Sequence, residues 1–193
     1  MSKRLLPLCP LILAAGLAAC ESNVAGLIDD GPAFAAHSGT QLAAHRGKQI
    51  VMLDNCDPGT FPPGACTGRS GGMSFATFID LLQKHGTAEA WRFAPGVIHV
   101  AHTETLPVVN LGGVVHTFTE VAEFGGGFNA GLNAILGLVP VPECVVNPSA
   151  SPLVPHPDVV IVPPGGHDHV TVEPGEAKKY LCCVHPWMRA VSQ

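Results

Sequence analysis

Residues 180–190 have the sequence YLCCVHPWMRA, in which a strand-like segment ends in a cysteine, a histidine follows three residues later, and a methionine three residues after that. Cys182, His185 and Met188 are all soft or borderline metal donors. A copper site that serves both Cu(I) and Cu(II) uses a thiolate and two imidazoles in a trigonal plane, with a weak axial thioether. The spacing therefore predicts that one tight loop supplies three of the four ligands of a single copper ion.

The fourth ligand should lie on a different strand, and the best candidate is His116 in the segment GGVVHTFT of residues 112–119. Its β-branched and aromatic neighbours favour a strand. A lone histidine in an apolar strand is more often a satisfied core residue than a ligand, but the loop at 182–188 lacks a second imidazole. His167 and His169 follow a Pro-Gly turn and are interpreted as solvated loop residues, with a second metal site as the alternative.

The loop of residues 182–188 resembles that of small cupredoxins of the amicyanin and plastocyanin type, whose ligand loop contains Cys, two residues, His and then Met, and whose first His lies on an earlier strand. The resemblance covers about residues 90–193. It implies an all-β fold, a Greek-key β-sandwich, with one type 1 copper ion and one-electron transfer. The ligand positions that it implies are His116, Cys182, His185 and Met188.

Pro186 and Trp187 lie between the histidine and the methionine of the loop. The proline ring locks its own φ and restricts the residue before it, which stiffens the loop. Together the two side chains predict an exposed apolar rim around His185, which the resemblance places near the surface as the exit point for electrons. Such a rim suits a transient redox protein partner that docks over a small area.

The number of cysteines indicates which thiols are structural. Without Cys9 and Cys20, which fall in the N-terminal signal, five cysteines remain, and an odd number in an exported protein predicts two disulfides and one thiol kept for chemistry. Cys56 and Cys66 flank a turn-rich loop and are expected to close it. The five are Cys56, Cys66, Cys144, Cys182 and Cys183.

Adjacent cysteines cannot both bind the metal, because neighbouring side chains on a strand point to opposite faces. Cys182 has the two-residue gap to His185 that the family loop shows, so the resemblance makes Cys182 the ligand and leaves Cys183 to pair with Cys144. Two alternatives remain open. Either Cys183 binds copper and Cys182 pairs with Cys144, or the two neighbours form a strained disulfide with each other.

Residues 1–20 have the features of an export signal: Lys3 and Arg4, a short apolar run, and the processing site LAAC that ends at Cys20. The apolar run is too short to span a bilayer. LAAC resembles a bacterial lipobox, in which the cysteine is lipidated. Ordinary cleavage after Ala19 is the alternative. We therefore expect an exported protein in the periplasm or at the cell surface, anchored by lipid to a bacterial membrane.

The rest of the chain is predicted to form a tether and one domain. Residues 21–46 lack a sustained period and are expected to be a flexible tether, with an extra edge strand as the alternative. Residues 47–193 are predicted to form the cupredoxin-like domain, with the disulfide loop and one short helix near its start. The whole chain has 193 residues, which is too few for two sizeable cores.

Composition supports an all-β domain and excludes nucleic-acid binding. The chain has 22 Gly and 18 Pro but only 13% charged residues, which is typical of short strands joined by many turns. A formal net charge of -5 with 10 Lys plus Arg provides no basic stripe to neutralise phosphates. The protein is expected to be a monomer.

Apolar periodicity predicts one helix and eight strands. Residues 74–85 have apolar side chains at three- and four-residue spacing, with Ser74 as a cap and Gly86 as the stop. Residues 124–155 are interpreted as an irregular connection with a helical turn near 132–138. Regular spacing predicts antiparallel hairpins for the four strands at 90–94, 97–101, 105–109 and 114–120. Further strands are expected at 49–53, 159–162, 169–172 and 177–183.

These observations predict a blue copper protein that transfers single electrons in the bacterial cell envelope. The alternative is copper binding for delivery, buffering or sensing, in which the metal is exchanged rather than cycled between oxidation states. An enzyme is not expected, because no second histidine cluster and no acid–base pair accompany the loop. A copper-free sandwich that uses its apolar end for protein contact is the remaining hypothesis.

Overall fold

The computed structural model describes residues 48–68 and 72–193. The predicted export signal at 1–20, the predicted lipidation of Cys20 and the predicted tether at 21–46 lie outside the described residues. The described residues belong to the predicted domain.

Two four-stranded sheets and one two-stranded sheet make up the domain. The first sheet has the strand order β2-β1-β4-β8, the second has the order β3-β10-β9-β6, and β5 pairs with β7. The strands are β1 (Ile50–Leu53), β2 (Arg92–Ala94), β3 (Val97–Ile98), β4 (Glu104–Asn110), β5 (His116–Thr117), β6 (Thr119–Val121), β7 (Ile161–Val162), β8 (His167–Val172), β9 (Lys178–Leu181) and β10 (Arg189–Ser192).

The core lies between the two larger sheets. In β4, the buried side chains of Leu106, Val108 and Asn110 alternate with more exposed ones, as expected for a strand with one face on the core. Phe118 bridges the sheets, because its ring lies 4.9 Å from that of Phe93 on the first sheet and 4.5 Å from that of Tyr180 on the second. The predicted all-β sandwich class is confirmed.

The antiparallel hairpins predicted between residues 90 and 120 are not formed, because consecutive strands of that stretch pair with other strands in different sheets. Two of the observed strand pairs are parallel. β1 runs parallel to β4, and β10 runs parallel to β3. A parallel pair needs a long crossover connection, and the segment between β1 and β4 contains the disulfide loop, a helix and two further strands. β10 itself was not predicted, although it pairs antiparallel with β9 across the predicted ligand loop.

The predicted helix is present as α1 (Phe75–His85). The Ser74 side chain caps it by accepting a hydrogen bond from the Thr77 N–H, and Gly86 ends it in the left-handed conformation with φ of 68°. Neither this helix nor the other helix in the described part of the chain is long and apolar enough to cross a membrane.

A second helix, α2 (Ala130–Leu136), corrects the prediction of a single one. It lies in the stretch that was interpreted as irregular with one helical turn. The Asn129 side chain caps it by accepting from the Leu132 N–H, and Gly137 ends it. At seven residues the helix is too short to show a sustained apolar period, which is why pattern alone did not predict it.

The strand predicted at 169–172 begins two residues earlier, so that His167 and His169 lie in a strand and not in a solvated loop. This strand, β8, pairs with β4, so that both histidines lie on an edge strand with their side chains exposed. The alternating polar pattern is that of an outer strand face.

Candidate metal centre

The β9–β10 hairpin carries three of the predicted ligands in its connecting loop. Cys182 directly follows β9, and Met188 directly precedes β10. Two backbone hydrogen bonds close the loop: the Cys182 N–H donates to the Met188 carbonyl at 3.1 Å, and the Met188 N–H donates to the His185 carbonyl at 2.9 Å. The three residues at this spacing therefore lie in one tight turn, and its hydrogen bonds fix the directions of their side chains.

His116 reaches this loop from β5, as predicted. Its Nδ1 lies 3.7 Å from the Cys182 Sγ and 3.2 Å from the His185 Nδ1, and the His185 Nδ1 lies 3.7 Å from the same sulfur. Within the described residues this is the one group of three or more His, Cys, Asp or Glu side chains whose donor atoms converge. The exposed fractions are 0% for His116, 0% for Cys182 and 7% for His185.

The separations fit donors that share one ion. In a trigonal plane with metal–nitrogen bonds of about 2.0–2.1 Å and a metal–sulfur bond of about 2.3 Å, neighbouring donors stand about 3.5–3.8 Å apart. Both sulfur–nitrogen separations agree with this range, and the nitrogen–nitrogen separation of 3.2 Å is slightly shorter. A thiolate and two imidazoles are also a donor set that suits copper.

Met188 is buried, with 1% of its surface exposed, and belongs to the same core cluster as Cys182. Its backbone N–H and carbonyl both take part in closing the ligand loop. The role of its thioether as an axial ligand stays a prediction.

The two adjacent cysteines have different partners. Cys183 forms a disulfide with Cys144, and Cys56 forms one with Cys66, as expected. Cys182 is the free cysteine of the described residues. Cys182 and Cys183 belong to separate core clusters, so the alternation of a strand does place them on opposite faces. The alternative pairings, Cys182 with Cys144 or Cys182 with Cys183, are not the ones found.

Thr117, at the end of β5, fixes the start of the loop. Its backbone N–H donates a hydrogen bond to the Cys182 Sγ at 3.4 Å, and its hydroxyl oxygen accepts one from the Cys183 N–H at 2.7 Å. A hydrogen bond to a ligand sulfur helps to set the redox potential of a metal centre. Because Thr117 directly follows His116, one short strand carries both a candidate metal ligand and the N–H group that donates to the Cys182 sulfur.

Asp54 is the residue of the site that sequence reasoning missed. Its Oδ2 lies 2.9 Å from the His116 Nε2 and accepts a hydrogen bond from the Val114 N–H, while its Oδ1 accepts from the N–H groups of Gly113 and Cys56. The side chain is completely buried. In the sequence it stands just before the turn NCDPG, where an aspartate is an ordinary turn residue, so no local signal marks it.

The pKa values of the cluster follow from burial and these hydrogen bonds. Burial by itself would raise the pKa of the Cys182 thiol, but hydrogen bonds from His116 and His185 outweigh it and hold that pKa well below its ordinary value. Burial likewise would raise the pKa of Asp54, yet the hydrogen bonds from His116 and from backbone N–H groups lower it. The lowered pKa values favour the carboxylate form of Asp54 and the thiolate form of Cys182.

The pKa values of His116 and His185 are shifted in opposite directions. Burial would lower the pKa of His116, whereas hydrogen bonds to Asp54 and Cys182 raise this pKa to about 9. For His185, burial is the larger influence and lowers the pKa, and the hydrogen bond to Cys182 offsets this only in part. A metal held by His116 would take the place of the extra proton, since metal ligands must be deprotonated.

The surroundings of His185 correct part of the predicted apolar rim. Pro186 is buried, and Trp187 is half-buried with its ring 5.6 Å from that of Phe78. Pro186 thus offers no docking surface, because the packed loop turns it inward. His185 instead lines a cleft of about 470 Å³ between the disulfide loop, the two helices and the β4–β5 connection, where Val115 is 40% exposed.

Comparison with known proteins found similarity among solved structures. The chain is similar to a purple cupredoxin from Nitrosopumilus maritimus, with 14% sequence identity and a TM-score of 0.38. The match covers 76% of this chain and 98% of that chain. No protein-family model and no curated protein matches the chain. Function is therefore inferred from the donor geometry of the cluster.

Proposed function

We propose that this protein is a cupredoxin-like, mononuclear type 1 copper protein that transfers single electrons. The observation that carries the proposal is the convergence of the Cys182 sulfur with the Nδ1 atoms of His116 and His185 in a buried site. Met188 is proposed as the weak axial ligand. Copper would supply the reversible change between Cu(I) and Cu(II).

The protein's own residues prepare the site before any metal is bound. The loop hydrogen bonds fix Cys182 and His185, and β5 holds His116 opposite them. Burial excludes water, and the hydrogen bonds from His116 and His185 lower the pKa of the Cys182 thiol, which favours its thiolate form. A preset donor geometry of this kind reduces the rearrangement that accompanies each change of oxidation state.

His185 is the proposed route for electrons, because it is the one of the three converging ligands with a measurable exposed fraction and it lines the apolar cleft. No Asp, Glu, Lys or Arg occurs among the described residues that line this cleft. We expect a transient redox protein partner whose contact face is apolar, since charged groups opposite such a cleft would lose water without gaining a partner.

Burial of the ligands also supports electron transfer over copper delivery. A site for metal exchange needs an open position or mobile ligands, whereas all three donors here are packed in the core. The two functions are distinguished by experiment. Fast loss of copper to a chelator together with slow electron self-exchange would favour delivery, buffering or sensing.

We further propose that the protein works outside the cytoplasm, in the periplasm or at the cell surface. The two disulfides support an oxidising compartment. Attachment to a bacterial membrane through lipid on Cys20 remains part of this proposal. Mass spectrometry of the mature N-terminus tests it, and an N-terminus that lacks lipid would reject the anchor.

The direct test of the copper proposal is titration of the metal-free protein with Cu(II). We expect one equivalent to bind and to produce a strong visible band from the copper–thiolate bond, together with a reversible one-electron potential. A protein that stays colourless and metal-free would reject the proposal.

A further inference from the structure

Asp54 lies behind the metal cluster, on the side of His116 that faces away from the sulfur. Each of its two carboxylate oxygens has two hydrogen-bond contacts, and the side chain has no exposed surface. Three contacts are backbone N–H groups and the fourth is the His116 Nε2. A buried carboxylate accepts hydrogen bonds at both oxygens, and here all four sites are occupied.

The identity of these contacts decides the tautomer of His116. A carboxylate can only accept, so the His116 Nε2 at 2.9 Å must carry the hydrogen. The other ring nitrogen, Nδ1, is the atom that faces the Cys182 sulfur and the His185 ring. We propose that Asp54 is a positioning residue of the metal centre: it fixes the His116 ring with hydrogen on Nε2, frees Nδ1 for the metal, and holds a buried negative charge one imidazole away from it.

The surrounding backbone is shaped to admit this carboxylate. A Cβ atom at Gly112 would overlap the Asp54 Oδ2, so the chain can pass this close to the carboxylate only with glycine at that position. The same connection then provides the N–H groups of Gly113 and Val114. Because it leads directly into β5, the loop that binds Asp54 is also the loop that delivers His116.

An amide could not replace the carboxylate without loss. Asparagine would turn one NH2 group toward N–H donors that need an acceptor, and it would remove the charge. A hydrogen bond from a ligand imidazole to a carboxylate raises the basicity of the imidazole. The negative charge favours Cu(II) over Cu(I), because the oxidised centre carries one more positive charge. Loss of Asp54 should therefore weaken Cu(II) binding more than Cu(I) binding.

This inference rests on the proposed copper function, and Asp54→Asn tests it in the copper-loaded protein. The variant keeps all proposed ligands, so the visible band should remain. Its Cu(II) affinity should fall by about 10–100-fold, which is the usual effect of removing such an outer partner. A tenfold greater loss for Cu(II) than for Cu(I) raises a one-electron potential by about 59 mV. Asp57→Asn is the matched control, because Asp57 is on the same loop and its carboxylate accepts from the Gly59 N–H, away from the cluster.

The outcomes separate the two proposals. If Asp54→Asn has the potential and copper affinities of Asp57→Asn, and only its free energy of unfolding falls, Asp54 is merely structural and the inference is wrong. If the unaltered protein binds no copper, the copper proposal itself fails.

A second measurement does not depend on whether the variant folds. Long-range ¹H–¹⁵N spectra of the unaltered, Cu(I)-loaded protein should show His116 with a slowly exchanging hydrogen on Nε2 and the metal on Nδ1. Metal on Nε2, or an Nε2 without hydrogen, would overturn the inference.

Discussion

Cys182 and Cys183 are adjacent in the chain but have different roles, since one is a free thiol at the candidate metal centre and the other forms a disulfide. Cys183 is tied to Cys144 in a small satellite core, whereas Cys182 faces the main core and the two histidines. The same strand geometry that gives Cys183 a structural partner leaves the neighbouring thiol free. Because both residues are cysteines, residue type alone does not tell which one is the free thiol.

Replacement of each cysteine by serine should therefore give opposite results. Cys182→Ser should abolish the visible copper band, because the thiolate ligand is lost, and should change the stability of the metal-free protein little in comparison. Cys183→Ser should keep the band but lower the free energy of unfolding by about 2–4 kcal/mol through loss of the disulfide. Absorption spectra and denaturant unfolding measure the two effects. A Cys182→Ser protein that remains coloured would contradict the assignment.

Met188 provides a second prediction at this scale. Met188→Leu keeps the volume of a buried side chain, so the free energy of unfolding should change by less than about 1.5 kcal/mol. Loss of a weak sulfur donor destabilises Cu(II) more than Cu(I), so the reduction potential should rise while the copper–thiolate band persists. Met52→Leu is the control, since Met52 is equally buried in β1. Equal potentials in both variants would show that the thioether is not a ligand.

At the scale of elements, the turn before α2 packs against the ligand loop and forms a hydrogen bond with it. The Phe128 N–H donates to the Cys183 carbonyl at 2.9 Å, and the Asn133 side chain hydrogen-bonds both the N–H and the carbonyl of Gly127. Asn133 is buried, which makes this turn rigid. The short helix α2 thus positions a support for the loop that follows β9.

Gly127 allows this close approach, because a Cβ atom there would overlap the Cys183 carbonyl. Gly127→Ala should therefore push the turn away from the loop and lower the free energy of unfolding by about 1–3 kcal/mol. Gly131→Ala is the matched control: that glycine is exposed within α2, and alanine is the better helix former by up to about 1 kcal/mol. Denaturant unfolding of both variants tests the idea, and an equally stable Gly127→Ala protein would refute it.

At the scale of the whole molecule, the described residues bury the three candidate ligands and form an apolar cleft beside His185. Phe61 and Phe75 of that cleft come from the disulfide loop and from α1, so elements distant in sequence surround His185. Electron exchange between two copies should therefore depend on this face and not on the remaining surface.

Val115→Glu should slow electron self-exchange by about tenfold or more, because two copies that meet at this face would bring like charges together as they lose water. The copper content should not change, and the potential should fall only slightly because the new charge is exposed to solvent and screened by salt. Val160→Glu is the control, since Val160 is similarly exposed, at 53%, and does not line the cleft. Self-exchange rates of both copper-loaded variants can be measured by NMR line broadening. An equal rate in both would place the electron route elsewhere.

The sequence by itself was sufficient for the features that depend on local spacing. The turn-rich, weakly charged composition predicted the all-β class. Apolar periodicity and a capping serine predicted α1, and the Cys-x-x-His-x-x-Met loop predicted which side chains would be neighbours. In α1 and in the loop the interacting groups are close in the chain, so their relation can be read from the order of residues.

The meeting of His116 and Cys144 with the loop was predicted through the family resemblance, and only the tertiary structure decided the other features that join distant segments. The parallel pairing of β1 with β4 and of β10 with β3, the inward turn of Pro186 and the cleft beside His185 all depend on how separate elements pack. Asp54 is the clearest case, because 62 residues separate it from His116. Its carboxylate meets the imidazole only after β1, the disulfide loop and the β4–β5 connection have folded together, and no local pattern encodes a contact at that distance.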